Sequence, residues 1–266
     1  MPPILNKRIA RCITLVLVAT LIAMGAAVAS AQDDAAAPQR RDLETPTTDG
    51  SLMLLGRFTP PATEGAPVVI LIPGLDEPFD QYSPVENSLR ERGVGVALAG
   101  VRGTGRSTTD TEGRRVDHRD VDPLDAQVFV DDVTALVNAV RQQSPGSPVA
   151  LLGSRVTANA IALMVKSSAA SERPQTAVLL SPASSLRGLA IEPSDLLDTG
   201  VKLIVVHGDE DIFAGRLLEF LQTLAQESGA DARLTVMPVE GEARGIDLLN
   251  SPNTLNDVIT RLTQAP

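Results

Sequence analysis

Short apolar runs alternate with longer amphipathic segments along most of this chain of 266 residues. Each apolar run is rich in Val, Ile and Leu and is bounded by Gly, Pro or polar residues. Such runs are typical of β-strands that are buried on both faces, as in a parallel sheet. The predicted strands are 52–58, 68–72, 94–99, 149–152, 177–180, 203–207 and 234–239.

The segments between these runs carry apolar residues at spacings of three and four, which predicts helices with one buried face. The predicted helices are 85–92, 126–140, 156–169, 213–225 and 255–262. Strands that alternate with crossover helices predict an α/β fold, namely a doubly wound, mostly parallel sheet with helices on both faces.

The first 31 residues have the composition of a secretory signal peptide. Lys7, Arg8 and Arg11 precede an apolar run at 13–28, and small residues follow at Ala29, Ser30 and Ala31. This order predicts cleavage after Ala31 and export to the periplasm or the extracellular space, with no membrane span in the processed chain. The alternative is an uncleaved anchor, because the apolar run approaches the length of a spanning helix.

The predicted processed chain divides into a short tail and one domain. Residues 32–48 are rich in Ala, Pro, Gln, Arg and Thr without apolar periodicity, which predicts a mobile linker. The remaining residues, 49–266, suffice for a single domain with a full core.

Charge and cysteine content exclude several classes of function. Loss of residues 1–31 would leave 20 basic and 33 acidic side chains, a net charge of −13 that makes nucleic acid and anionic membranes poor partners. The single cysteine, Cys12, lies in the predicted signal peptide. The domain therefore has no thiolate, and the sequence indicates no metal site and no cofactor.

Several segments follow one another in an order that a known family shares. Residues 72–74 read Ile-Pro-Gly, 100–107 read GVRGTGRS, 149–157 read VALLGSRVT and 206–211 read VHGDED. They resemble, in turn, the H-G turn, the D-x-R-G-x-G-x-S loop, the nucleophile elbow G-x-S-x-G and the H-G-x-x-D acid segment of α/β-hydrolases. The resemblance covers almost the whole predicted domain, and the short connection at 181–200 leaves no room for a large cap.

The resemblance implies a degenerate catalytic triad. Arg155 takes the position of the nucleophilic serine, Asp211 that of the acid, and Arg244 that of the histidine. A guanidinium stays protonated at physiological pH, so it supplies neither a nucleophile nor a base. We therefore expect no catalytic residues and a binding or scaffolding role, with an envelope interaction protein as a further alternative.

Two interpretations of the former active site remain open from the sequence. In the first, Arg155 and Asp211 form a buried ion pair that plugs the pocket. In the second, the positive charge binds a small anionic ligand, assisted by the backbone amides of Leu75 and Val156, which the resemblance places in the oxyanion hole. The sequence does not name a partner.

An active enzyme would need other residues. Ser154, beside the elbow centre, and His118, in a charged segment, are the fallback nucleophile and base for a hydrolase of small ester or amide substrates. A shift of the elbow by one residue would place Leu152 and Val156 where the turn requires small residues, which argues against this alternative.

Overall fold

A computed structural model describes residues 38–264 of the chain. The predicted signal peptide and its cleavage site lie outside the described residues. Within residues 38–264, no helix is long and apolar enough to cross a membrane.

Eight strands form one central sheet in the order β1-β2-β4-β3-β5-β6-β9-β10. The pairs β1–β2 and β2–β4 are antiparallel, and all other neighbours are parallel. A separate two-stranded hairpin, β7–β8, lies in the connection between β6 and β9. The strands are β1 Arg41–Pro46, β2 Met53–Thr59, β3 Val68–Ile72, β4 Gly95–Ala99, β5 Val149–Ser154, β6 Thr176–Leu180, β7 Ser185–Leu186, β8 Leu189–Ala190, β9 Lys202–Gly208 and β10 Leu234–Val239.

Helices cover both faces of the sheet. They are α1 Ser83–Glu91, α2 Gln127–Gln143, α3 Val156–Ser167, α4 Pro193–Leu197, α5 Ile212–Ser228 and α6 Pro252–Thr263. The apolar residues of α2, α3, α4 and α5 contribute to one core cluster, and those of α1 and α6 contribute to a second. The predicted fold class, a doubly wound and mostly parallel α/β sheet without a large cap, is confirmed.

The period of two along the strands explains why the central strands are apolar throughout. In β3, Val68, Ile70 and Ile72 belong to the first cluster, whereas Val69 and Leu71 belong to the second. All five side chains are fully buried because each face of the sheet carries helices.

The predicted mobile linker at 32–48 is wrong for its second half. Residues Arg41–Pro46 form β1, which pairs with β2 along its whole length, and Leu43 is fully buried against the first cluster. The segment escapes a search for apolar periodicity because it is an edge strand in which only one side chain faces the core. The folded domain therefore begins before Asp49.

A buried ion pair anchors the loop that follows β4. The Arg102 guanidinium donates to the carboxylate of Asp132 in α2, with 2.8 Å between Nη2 and Oδ1, and it also pairs with Asp49. Burial raises the pKa of the Asp132 carboxyl, and its bonds to Arg102 oppose that rise. The arginine of the hydrolase-like loop therefore has a structural role, since it ties that loop to α2 and to the β1–β2 turn.

The β1 correction leads to a stability prediction. Leu43→Ala removes a fully buried side chain from the edge strand, so we expect unfolding free energy to fall by about 2–4 kcal/mol. Glu44→Ala, at the exposed neighbouring position, is the matched control and should change it by less than about 0.5 kcal/mol. Urea unfolding measures both variants, and equal midpoints for the two would restore the mobile linker.

Candidate functional site

The connection between β5 and α3 is a sharp turn centred on Arg155. Its backbone has φ 54° and ψ −111°, a conformation that is strained for a residue with a side chain. The Arg155 amide donates to the carbonyl of Leu180 over 2.8 Å, which ties the turn to the end of β6. The Arg155 side chain is exposed and lines a cleft at the carboxyl end of the sheet.

Tight packing behind the turn explains its small residues. A Cβ on Gly153 would lie 2.5 Å from Cδ1 of Ile161 and 3.0 Å from backbone atoms of Thr157. The Thr157 hydroxyl accepts from the Ser154 amide and donates to the Ile72 carbonyl, each over 2.9 Å. These contacts hold the first turn of α3 against β3, so Arg155 has little freedom to relax its backbone.

Arg244, which lines the same cleft, contacts Asp211. Asp211 is nearly fully buried, and its Oδ1 accepts from the amides of Phe213 and Ala214 as the N-cap of α5. Its other oxygen, Oδ2, lies 3.5 Å from Nε of Arg244. Asp211 and Arg244, which take the positions of the triad acid and histidine of α/β-hydrolases, are therefore adjacent in space.

The predicted plug by an Arg155–Asp211 pair is wrong. The carboxylate of Asp211 is engaged by Arg244 and by the amides of α5, and the Arg155 side chain is exposed instead of buried. Among residues 38–264, Arg155 has no salt-bridge partner within 4.0 Å. The partner of Asp211 is decided by the position of the loop after β10, which carries Arg244. Sequence spacing does not predict the position of that loop.

Sequence reasoning missed Glu77, which is the best-connected acid of the site. Its Oε2 accepts from the Gly74 amide at 2.8 Å and from the Tyr82 hydroxyl at 2.5 Å. Its Oε1 accepts from the Ser154 hydroxyl at 2.6 Å and from the Ile246 amide at 3.1 Å. One carboxylate thus joins the turn after β3, the segment before α1, the elbow and the loop after β10.

The surroundings of Glu77 are adapted to its charge. Burial, together with the neighbouring carboxylate, raises the pKa of the Tyr82 hydroxyl, which therefore stays a donor. Gly245 has φ 59°, and a Cβ there would overlap the Glu77 carboxylate and lie 2.6 Å from Oγ of Ser154. Only glycine lets the loop after β10 approach so closely. No local signal in the sequence distinguishes Glu77 from an ordinary acidic turn residue.

The fallback pair Ser154 and His118 is not brought together. Ser154 is fully buried and donates to Glu77 on the protein side of the elbow. His118 is also buried; its Nε2 lies 3.2 Å from Oδ1 of Asp76, and its Nδ1 lies 3.3 Å from the Gly103 carbonyl oxygen. His118 therefore reaches the edge of the cleft only through Asp76.

The cleft has a volume of about 530 Å³ and a lining of mixed charge. Its cations are Arg155 and Arg244. Its carboxylates are Asp76, Glu77, Glu210, Glu242 and Asp247. Leu75 follows β3 and Val156 opens α3, at the same end of the sheet. Their role as oxyanion-hole amides stays a prediction. Within residues 38–264, no group of three or more His, Cys, Asp or Glu side chains is arranged to hold a metal ion.

Comparison with known proteins identifies the family. The family model for serine aminopeptidases, S33, matches residues 63–205, which is more than half of the chain. The chain belongs to this family of α/β-hydrolases. The matched region includes the elbow and ends before Asp211 and Arg244. A comparison with curated proteins finds no match.

Solved structures show the same fold at low sequence identity. A lipase in its open form has a TM-score of 0.61 at 12% identity, over 85% of this chain and 100% of the lipase. A serine hydrolase without lid from Xanthomonas campestris has a TM-score of 0.57 at 18% identity, over 86% and 97% of the two chains. A dienelactone hydrolase-like promiscuous phosphotriesterase from metagenomic libraries has a TM-score of 0.59 at 14% identity, over 86% and 100%.

The Glu77 network predicts a stability effect. Glu77→Gln replaces one acceptor oxygen by an amide NH₂ that must face two donors, so we expect a loss of about 1.5–3 kcal/mol in unfolding free energy. Glu242→Gln makes the same chemical change at an exposed position of the cleft and should be nearly neutral. Denaturant unfolding of the two variants compares them, and an unchanged midpoint for Glu77→Gln would show that the carboxylate is dispensable.

Proposed function

We propose that this protein is an exported, non-catalytic member of its family whose former active-site cleft binds a small anionic ligand. The observation that carries the proposal is Arg155 at the centre of the elbow, with its side chain exposed in the cleft. Export is proposed from the basic start, the apolar run and the small-residue exit at Ala31.

Loss of catalysis follows from the chemistry of acyl transfer. A serine hydroxyl must lose its proton to a positioned base, and the base must return a proton to the leaving group. The elbow offers a guanidinium instead of a hydroxyl, and Arg244 stands beside the acid instead of an imidazole. Ser154 does have a carboxylate at 2.6 Å, but Ser154 is fully buried and Gly245 of the loop after β10 packs against its hydroxyl.

Anion binding is supported by the state of the Arg155 guanidinium. Its planar fork of donors matches carboxylate and phosphate oxygens, and among the described side chains it has no salt-bridge partner within 4.0 Å. The N-terminus of the twelve-residue helix α3 starts at the next residue, which adds a favourable dipole. Arg244 also lines the cleft, where its charge is shared with Asp211.

The acidic side chains of the cleft restrict the ligand to a small anion. Asp76 is already paired with Arg119, and the oxygens of Glu77 are occupied by four donors. Glu210, Glu242 and Asp247 also line the cleft and would repel an extended polyanion. A mono- or dianion bound at Arg155 would meet less of this repulsion than a larger polyanion would.

Absence of activity is the first expected outcome. Protein isolated from the exported fraction should have the mass of a chain that begins at Gln32, which tests signal cleavage. The same protein should not hydrolyse short-chain aryl esters above the buffer rate, and a fluorophosphonate should not label it. Arg155→Ser should stay inactive, because Arg244 still occupies the position of the base. Stoichiometric labelling that disappears in Ser154→Ala would establish an unorthodox hydrolase instead.

Anion binding is tested by thermal unfolding in phosphate or succinate against chloride at equal ionic strength. A ligand at one hundred times its dissociation constant stabilises the folded state by about 2.7 kcal/mol, so the melting temperature of the wild type should rise. The rise should be much smaller in Arg155→Ser. Arg90→Ser removes the same charge from the exposed surface of α1 and should behave as wild type. Equal shifts in all three proteins would eliminate the binding site.

A further inference from the structure

Helix α5 presents an apolar stripe to solvent. The chain has only six aromatic residues, yet Phe213 and Phe220 on this helix are 59% and 65% exposed. Residues seven apart lie on the same side of a helix, so the two rings form one stripe. Leu224, one turn further on, extends it and is only partly buried. An aligned set of exposed large apolar side chains is typical of an interaction surface.

A groove lies beside the C-terminal half of the stripe. It has a volume of about 220 Å³ between α4 and α5, and its apolar lining comes from Leu197 and Leu224. Glu227 and Ser228 line its far end. The stripe therefore offers a projecting ring, Phe213, at one end of the helix and an apolar depression at the other.

We propose that a second copy of this chain docks on α5, with the two α5 helices antiparallel about a two-fold axis at Phe220. A two-fold interface requires a surface that is complementary to itself. With the axis at Phe220, Phe213 of one copy faces position 227 of the other, where the groove lies. Each copy thus inserts one ring into the groove of its partner, and the two Phe220 rings meet on the axis.

One pair of opposite charges on the helix agrees with this pairing. Arg216 lies in the first half of α5 and Glu227 in its last turn, and both are exposed. In the antiparallel arrangement Arg216 of one copy faces position 224 of the other and is within side-chain reach of Glu227 there. A parallel arrangement would set like charges side by side.

The predicted dimer is weak. A contact limited to one helix and the adjoining groove is smaller than the roughly 800 Å² per partner of a standard stable interface. Association should therefore depend on protein concentration. The side chains proposed to form the dimer contact do not line the cleft, so the dimer and the proposed anion binding are tested by different variants.

Site-specific cross-linking tests the axis. In the purified protein, Cys12→Ser ensures that no other cysteine is present, whether or not residues 1–31 are removed, and Phe220→Cys then places one thiol of each copy on the two-fold axis. Leu124→Cys, at a residue that is 92% exposed, is the control. Mild oxidation should form the Phe220→Cys disulfide dimer at least ten times faster than the control dimer. Equal rates would overturn the proposal.

Sedimentation over a range of concentrations tests the inserted ring. The wild type and Leu124→Ser should show the same concentration-dependent dimer, and Phe213→Ser should weaken it at least tenfold. A monomer at all concentrations would overturn the proposal. So would a dimer that is indifferent to Phe213→Ser, which would indicate association through other residues, or a stripe that serves a different protein.

Discussion

One carboxylate, that of Glu77, fixes the geometry of the carboxyl end of this sheet. It receives hydrogen bonds from four separate segments: the turn after β3, the segment before α1, the elbow and the loop after β10. Charged acceptors make stronger bonds than neutral ones, and each donor would otherwise be left short of a partner. The cleft therefore has its shape because these segments converge on Glu77. None of the four hydrogen bonds involves the side chain of Arg155 or Arg244, the two exposed arginines that line the cleft.

Buried and exposed charged residues have different roles in this structure. Buried acids serve structure: Asp132 anchors the loop after β4 through Arg102, and Asp211 caps α5 while it holds Arg244. The exposed Arg155 side chain forms no comparable ion pair among the described residues. Its guanidinium is therefore accessible to a ligand, and this is the physical basis of the binding proposal.

Sequence pattern alone sufficed for seven of the eight strands of the sheet and failed for the contacts between loops. The central strands are apolar because helices cover both faces of the sheet, so the residue types of these strands identify them in the sequence. The edge strand β1 was missed because only Leu43 of its segment enters the core, and the hairpin β7–β8 is too short to leave a period. The elbow register was predictable from Gly153 and the strand before it. The role of Glu77 was not predictable, because its four hydrogen-bond donors are spread along the chain from Gly74 to Ile246. The partner of Asp211 was also beyond reach, since it depends on where one loop places Arg244.

The strained turn at Arg155 bears on how other members of this fold are interpreted. Its positive φ is held by the close approach of Gly153 to α3 and by the hydroxyl of Thr157, and neither contact involves the Arg155 side chain. The distortion is thus a consequence of joining a central parallel strand to a helix that packs directly against its neighbour. A backbone outlier at an elbow diagnoses the architecture, whereas the chemistry must be inferred from the side chain that the outlier displays.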